Sequence, residues 1–228
     1  MCSAAAEKKS QYSVFSIQFS VKRNWLLLTV YCSLITVLVS CASVQPVIKI
    51  GLVAPFEGAK RELGYDAIYA ARLAVREVNQ AGGIGGYRVA LVALDDRGDE
   101  QLAGETAVSL TIDPAVVAVI GHGLLETTAV AQPIYAEADL PLLPLGTSPF
   151  SPQDPALLPA DFQSAYNAVT PFDETAGPYA AATYDAMQLL FQAMSAGQSA
   201  SGTIDRDSVT NALAGLKYDG LVGTVYRP

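Results

Sequence analysis

The chain has 228 residues, 51% of them hydrophobic, with 14 lysines and arginines against 22 aspartates and glutamates and a formal net charge of −8. That size allows one ordinary α/β domain or a small two-domain protein, with a real core in either case. The negative balance, with no run of basic residues, argues against a nucleic-acid partner, because a phosphate backbone would be repelled.

Residues 1–40 stand apart in composition. Lys8, Lys9, Lys22 and Arg23 precede an apolar run from Trp25 to Val39, which reads as the positive and hydrophobic regions of a signal peptide. A bilayer-spanning helix needs roughly 20 apolar residues and this run is shorter, so export and processing fit better than a permanent span. Leu38-Val39-Ser40-Cys41 resembles the lipobox of bacterial lipoproteins, which implies that Cys41 is acylated and becomes the mature N-terminus. An uncleaved anchor or ordinary secretion are the alternatives. Processing at Cys41 would remove Cys2 and Cys32 and leave no thiol pair for a disulfide or a metal. Residues 41–46 would then link the lipid anchor to the folded part, held at the membrane by several acyl chains.

In chain order, "VIKIGLVA" from Val47 to Ala54 is a β-branched run between two prolines and predicts a strand buried on both faces. Helical spacing of Ile68, Ala71, Val75 and Val78 predicts a helix over 65–80, stopped by Gly82 and Gly83. A second strand follows from Tyr87, a helix over 100–112, a third strand over 115–121, a third helix over about 127–138 and a fourth strand over 140–145. Strands alternating with helices in this way predict a doubly wound parallel sheet. Ligands of such sheets sit at the carboxyl ends of the strands, so the loops 55–64, 121–127 and 146–148 are the ones to inspect. Beyond a proline-rich junction over 149–160, helices are expected over 161–169, 178–194 and 205–216, the middle one buried on most sides. "AGQSASGT" reads as a flexible loop, and 221–226 as one last strand.

Three stretches carry a family resemblance: the opening "IKIGLVAPFEGAKRELGYDAIYAARLAVREVNQAGGIGGYRVALVALDD", the continuation "VAVIGHGLLETTAVAQPIYAEADLPLLPLGTSP", and the late "PYAAATYDAMQLLFQAM" with "LKYDGLVGTVYRP". Together they resemble the leucine/isoleucine/valine-binding protein family, the type I periplasmic substrate-binding proteins of ABC importers. The resemblance implies two lobes hinged around a cleft, with the second lobe inserted after the fourth strand. Here 151–159 leads straight to helices that in the family return to the first lobe, so residues 47–228 are expected to form a single lobe.

The resemblance also implies site residues. In the family, small hydroxyl residues and backbone amides after the third and fourth strands hold the α-carboxylate and α-amino group of an amino acid. Gly146, Thr147 and Ser148 match the fourth-strand loop. After the third strand, Leu124 and Leu125 replace a Ser-rich stretch, followed by Glu126, Thr127 and Thr128. The two threonines could offer hydroxyls or cap the third helix, and capping is the favoured reading. Glu126 would repel a carboxylate but could pair with an amine, and Leu63 stands where an aromatic often covers the ligand. These departures leave the solute open between a branched-chain amino acid and another small polar molecule.

Several motifs read as structural. His122, between two glycines, is expected to be a turn residue. Gly121-His122-Gly123 would put the third glycine of a dinucleotide fingerprint at Glu126, so no such cofactor is expected. Asp95, Asp96, Asp99 and Glu100 read as a solvated, helix-capping turn rather than a calcium loop, and Tyr166, Tyr179 and Tyr184 as packing residues. Neither Ser148 nor Ser151 lies in a nucleophile elbow, so a hydrolase using His122 has little support. The expected function is a lipid-anchored, extracytoplasmic solute-binding protein of an ABC importer in truncated form, with weak or no binding alone, not an enzyme and with no cofactor. Its partners would be an amino acid-like solute, an ABC permease and the membrane. A single-lobe interaction or sensor module, or an inactive product of an internal deletion, are the alternatives.

Overall fold

The computed structural model describes residues 45–226, together with Trp25, Thr29 and Tyr31 as helical positions before them. Gln45–Pro228 forms a compact unit separate from Met1–Val44. Apart from those three positions, the expected signal peptide lies outside the described residues, as does Cys41.

Six strands and six α-helices follow in order: β1 Val47–Ala54, α1 Arg61–Gln80, β2 Arg88–Asp95, α2 Glu100–Ile112, β3 Val116–Gly121, α3 Leu125–Glu137 and β4 Leu142–Pro144, then α4 Ala160–Asn167, α5 Ala180–Ser201, α6 Arg206–Leu213, β5 Lys217–Gly220 and β6 Gly223–Tyr226. The first four strands form one sheet in the order β2-β1-β3-β4, every pair parallel. The sheet is the single lobe expected from the sequence. Its central strands are the two most continuously apolar, as a strand covered on both faces requires.

Each face carries its own core. On one, Ile50, Leu52 and Ile120 pack with α1, α5 and α6; on the other, Val53, Val116 and Val119 pack with Leu110 of α2 and Tyr135 of α3. Helix α5 is buried almost all round, from Ala180 to Gly197. It also runs past the expected end at Met194 to Ser201, where Gly202 closes it in a left-handed conformation. The supposed loop is helical because its small residues let α6 approach closely. Gly197 lies against the backbone of Ser208, and the Ser199 and Ser201 hydroxyls donate back to the carbonyls of Ser195 and Gly197. The expected last strand is a hairpin instead, β5 and β6 paired antiparallel around Leu221 and Val222. Residue 185 explains the turn: the Asp185 carboxylate, buried inside α5, accepts from the Val222 amide at 2.7 Å.

At the amino end of the sheet, Arg206 ties four elements together. Its guanidinium donates to the carbonyls of Thr111, Asp113, Val116 and Ala138, each at 3.0 Å. This places α6 across the ends of α2, β3 and α3. Among the described residues no helix is long and apolar enough to cross a membrane.

Candidate functional site

The strand order reverses between β1 and β3, since β2 lies on one side of β1 and β3 on the other. The crevice beyond their carboxyl ends is therefore where an open α/β sheet offers a site. Four loops meet there, and they are knitted together by backbone and buried polar groups.

Glycine makes the approach possible. A side chain on Gly121, at the end of β3, would collide with the Val53 carbonyl of β1, and one on Gly146, at φ +80, would meet the Gly123 carbonyl. The loop after β3 thus lies sandwiched between its neighbours. The peptides Gly121–His122 and Ser148–Pro149 are both cis.

His122 is not a turn residue in solvent but the centre of a buried network. Its Nδ1 lies 2.8 Å from Asp96 Oδ2 and its Nε2 3.1 Å from the Tyr135 hydroxyl, with His122 and Asp96 fully buried. A carboxylate can only accept, so Nδ1 donates to Asp96, while Nε2 meets the Tyr135 hydroxyl. Burial and the nearby Asp96 charge hold the Tyr135 phenol protonated, above its usual range. Asp96 Oδ1 also accepts from the Gly98 amide. The network joins the loops after β2 and β3 to α3, and with both ring nitrogens engaged it leaves none for a serine nucleophile.

The acidic turn after β2 is accordingly less solvated than expected. Asp99 caps α2 by accepting from Leu102, in line with the sequence reading, but Asp96 faces inward. Asp95 Oδ1 accepts from the amides of Phe56 and Arg97, fastening the β1 loop to the β2 loop. Among the described residues no cluster of acidic, histidine or cysteine side chains could hold a metal.

The residues singled out in the sequence fall into two groups. Gly146 and Thr147 are half-buried and Ser148 exposed in a turn closed by the Gly146 amide donating to the Phe150 carbonyl at 3.0 Å. Leu125 and Glu126 are exposed on the first turn of α3. Leu63, Thr127 and Thr128 are turned inward. Leu63 packs on Gly123, and both threonine hydroxyls donate to the Leu124 carbonyl, at 3.2 and 2.7 Å. The threonines do not cap α3: Leu124 is the N-cap and supplies no side-chain bond. No N-cap side chain therefore satisfies the first-turn amides of α3, beside Glu126.

Residues 47–158 match the family described as periplasmic binding proteins. That segment, just under half of the chain, is similar to the family. An amino acid binding protein of Pseudomonas aeruginosa is 33% identical over 101 residues, which make up 44% of this chain but only 27% of that relative. The chain thus spans well under two thirds of the relative it matches. Among solved structures, the branched-chain amino acid transporter substrate binding protein of Streptococcus pneumoniae in complex with isoleucine superposes with a TM-score of 0.64 at 16% identity, over 79% of this chain and 91% of that one. A substrate-binding protein of Desulfitobacterium hafniense in complex with leucine gives 0.62 at 16% identity, over 78% and 92%. These likenesses establish the fold. The chain has the parallel sheet and flanking helices of one lobe of that fold.

Asp66 was not legible as important in the sequence, where it is one acidic residue on an amphipathic helix. In the fold it lies where α1 and α5 begin together, accepting from the Tyr179 amide at 3.2 Å. Burial, with added repulsion from Glu62 and Glu174, raises its pKa to about 6 despite the amides of Tyr179 and Gly177.

Proposed function

We propose that the chain is an extracytoplasmic solute-binding lobe of an ABC importer, anchored by lipid at Cys41, that takes an amino acid-like solute at the crevice beyond β1, β3 and β4. The solute carboxylate would meet the first-turn amides of α3 and the Ser148 and Thr147 hydroxyls, and its ammonium would pair with Glu126. Leu125 would flank an apolar side chain, while Leu63, Thr127 and Thr128 shape the floor from below.

The observation that carries this reading is the exposed carboxyl edge itself, with Ser148, Leu125 and Glu126 open to solvent beside an uncapped helix start. Among the described residues the C-terminal third builds no opposing jaw. It packs into the core of this same lobe through α5, α6 and the hairpin. Well-formed sites bury roughly 70–90% of a small ligand, and one lobe cannot, so affinity in the millimolar range is expected, about −4 kcal/mol. Calorimetric titration of the chain with leucine and isoleucine checks this; micromolar affinity for a monomer would sink it. Binding energy in a two-lobed relative drives closure, and a lone lobe has no closure to drive.

A specific observation favours a second reading, an interaction module. Tyr65, in the second turn of α1, and Leu125, in the first turn of α3, stand at this same edge, 45% and 71% exposed. Large apolar side chains rimming a crevice suit a protein surface better than water. Light scattering distinguishes the two, since a partnered face predicts self-association or capture of a permease, whereas free solute binding predicts a monomer.

A further inference from the structure

A second groove lies at the other end of the lobe, between the C-terminal half of α1 and the outer strand β2. It encloses about 430 Å³ and is lined by Arg72, Arg76 and Arg88 with Gln45, Asn79 and Gln80 over an apolar floor. That volume is within the ~300–1,000 Å³ range of small-ligand sites. None of the lining residues is acidic, in a chain whose acidic residues outnumber its basic ones.

The three arginines are only lightly engaged. Among the described residues none makes an ion pair, although Lys49, Arg97 and Lys217 all do. Arg72 rests over the Tyr69 ring at 5.8 Å, and Arg76 reaches the Ala168 carbonyl at 3.5 Å. Asn79 is fully occupied elsewhere, exchanging two hydrogen bonds with the Val89 backbone and so closing the free edge of β2. What remains is a concavity lined by three arginines, with no acidic residue among the described residues that line it. Guanidinium forks match the paired oxygens of phosphate.

Position identifies the source of that phosphate. Gln45 lines the groove and follows Cys41 by four residues, a reach of at most about 14 Å even fully extended. We propose that this groove docks the headgroup phosphates of anionic phospholipids beside the anchor. The assignment of lipid as the source rests on the lipid-anchored reading above; the anion site rests on the groove alone. Docking here holds the amino end of the sheet to the membrane and leaves the crevice at its carboxyl end facing outward.

The test uses the full chain on vesicles of phosphatidylcholine, with or without phosphatidylglycerol, reading amide hydrogen exchange over 72–91. Three arginines at an anionic surface favour docking on the order of 100-fold over a neutral one. Exchange should therefore slow only with phosphatidylglycerol, recover in high salt, and be unaffected by lipid in the Arg72→Ala, Arg76→Ala, Arg88→Ala variant. The corresponding triple lysine variant should retain part of the protection, which separates lost charge from lost folding. Equal protection on both vesicles, or protection surviving in the alanine variant, overturns the proposal. Protection by inorganic phosphate alone, without vesicles, overturns the lipid source. Cys41→Ser, scored for membrane retention in cells, fails or succeeds independently and tests the anchor.

Discussion

Asp66 shows how one residue can couple the fold to pH. Its folded-state pKa of about 6 lies above the ordinary carboxylate value of 3.8. A group whose pKa is raised in the folded state binds protons more tightly there, so its contribution is complete below about pH 4 and is lost as pH rises through 6. Thermal unfolding should therefore show a fall in Tm across that window, and Asp66→Asn, which keeps an acceptor for the Tyr179 amide, should flatten it. His122 predicts the opposite kind of effect, one of connectivity. Replacing it with alanine leaves Asp96 Oδ2 and the Tyr135 hydroxyl without their buried partner, at about 1–3 kcal/mol for each, measurable by denaturant unfolding. Nothing in the sequence marked this histidine as buried. A lone imidazole between glycines suits an exposed turn equally well, and only the convergence of three elements supplied its partners.

Among elements, α5 and the hairpin it holds differ most from the sequence reading. A stretch of serine, alanine and glycine has weak intrinsic preference, so local pattern suggested a loop, while contact with α6 made it helix. The hairpin depends on Asp185 in the same way. Burial raises the Asp185 pKa despite the amides of Val222 and Leu221, so the group is held in a costly environment by the turn it satisfies. Asp185→Ala should loosen β5 and β6 selectively, seen as faster hydrogen exchange over 217–226 with the four-stranded sheet still protected. By contrast, α2 falls on the residues the sequence assigned, because Asp99 supplies a local cap whose effect needs no tertiary partner.

For the whole molecule, the decisive feature is that both cores serve one sheet. Every described element from β1 to the hairpin packs on that sheet or on the helices covering it, so the site is an open edge and not a closed cleft. At 10 mM leucine, a millimolar site stabilises by about 1.4 kcal/mol, whereas a micromolar site would give about 5. A thermal shift assay at that concentration separates the two, and a large shift would show that the open edge grips solute without a second jaw.

The sequence by itself determined the parallel sheet, the order of its helices and the loops at its carboxyl edge. These follow from periodicities of two and 3.6 residues and from turn residues, which are local. The inward turn of Leu63, Thr127 and Thr128, the His122 network, the Asp66 clamp and the arginine groove were decided only by the tertiary structure. Each joins residues far apart in the chain, and which polar group is buried, paired or left facing solvent depends on neighbours that no local pattern names.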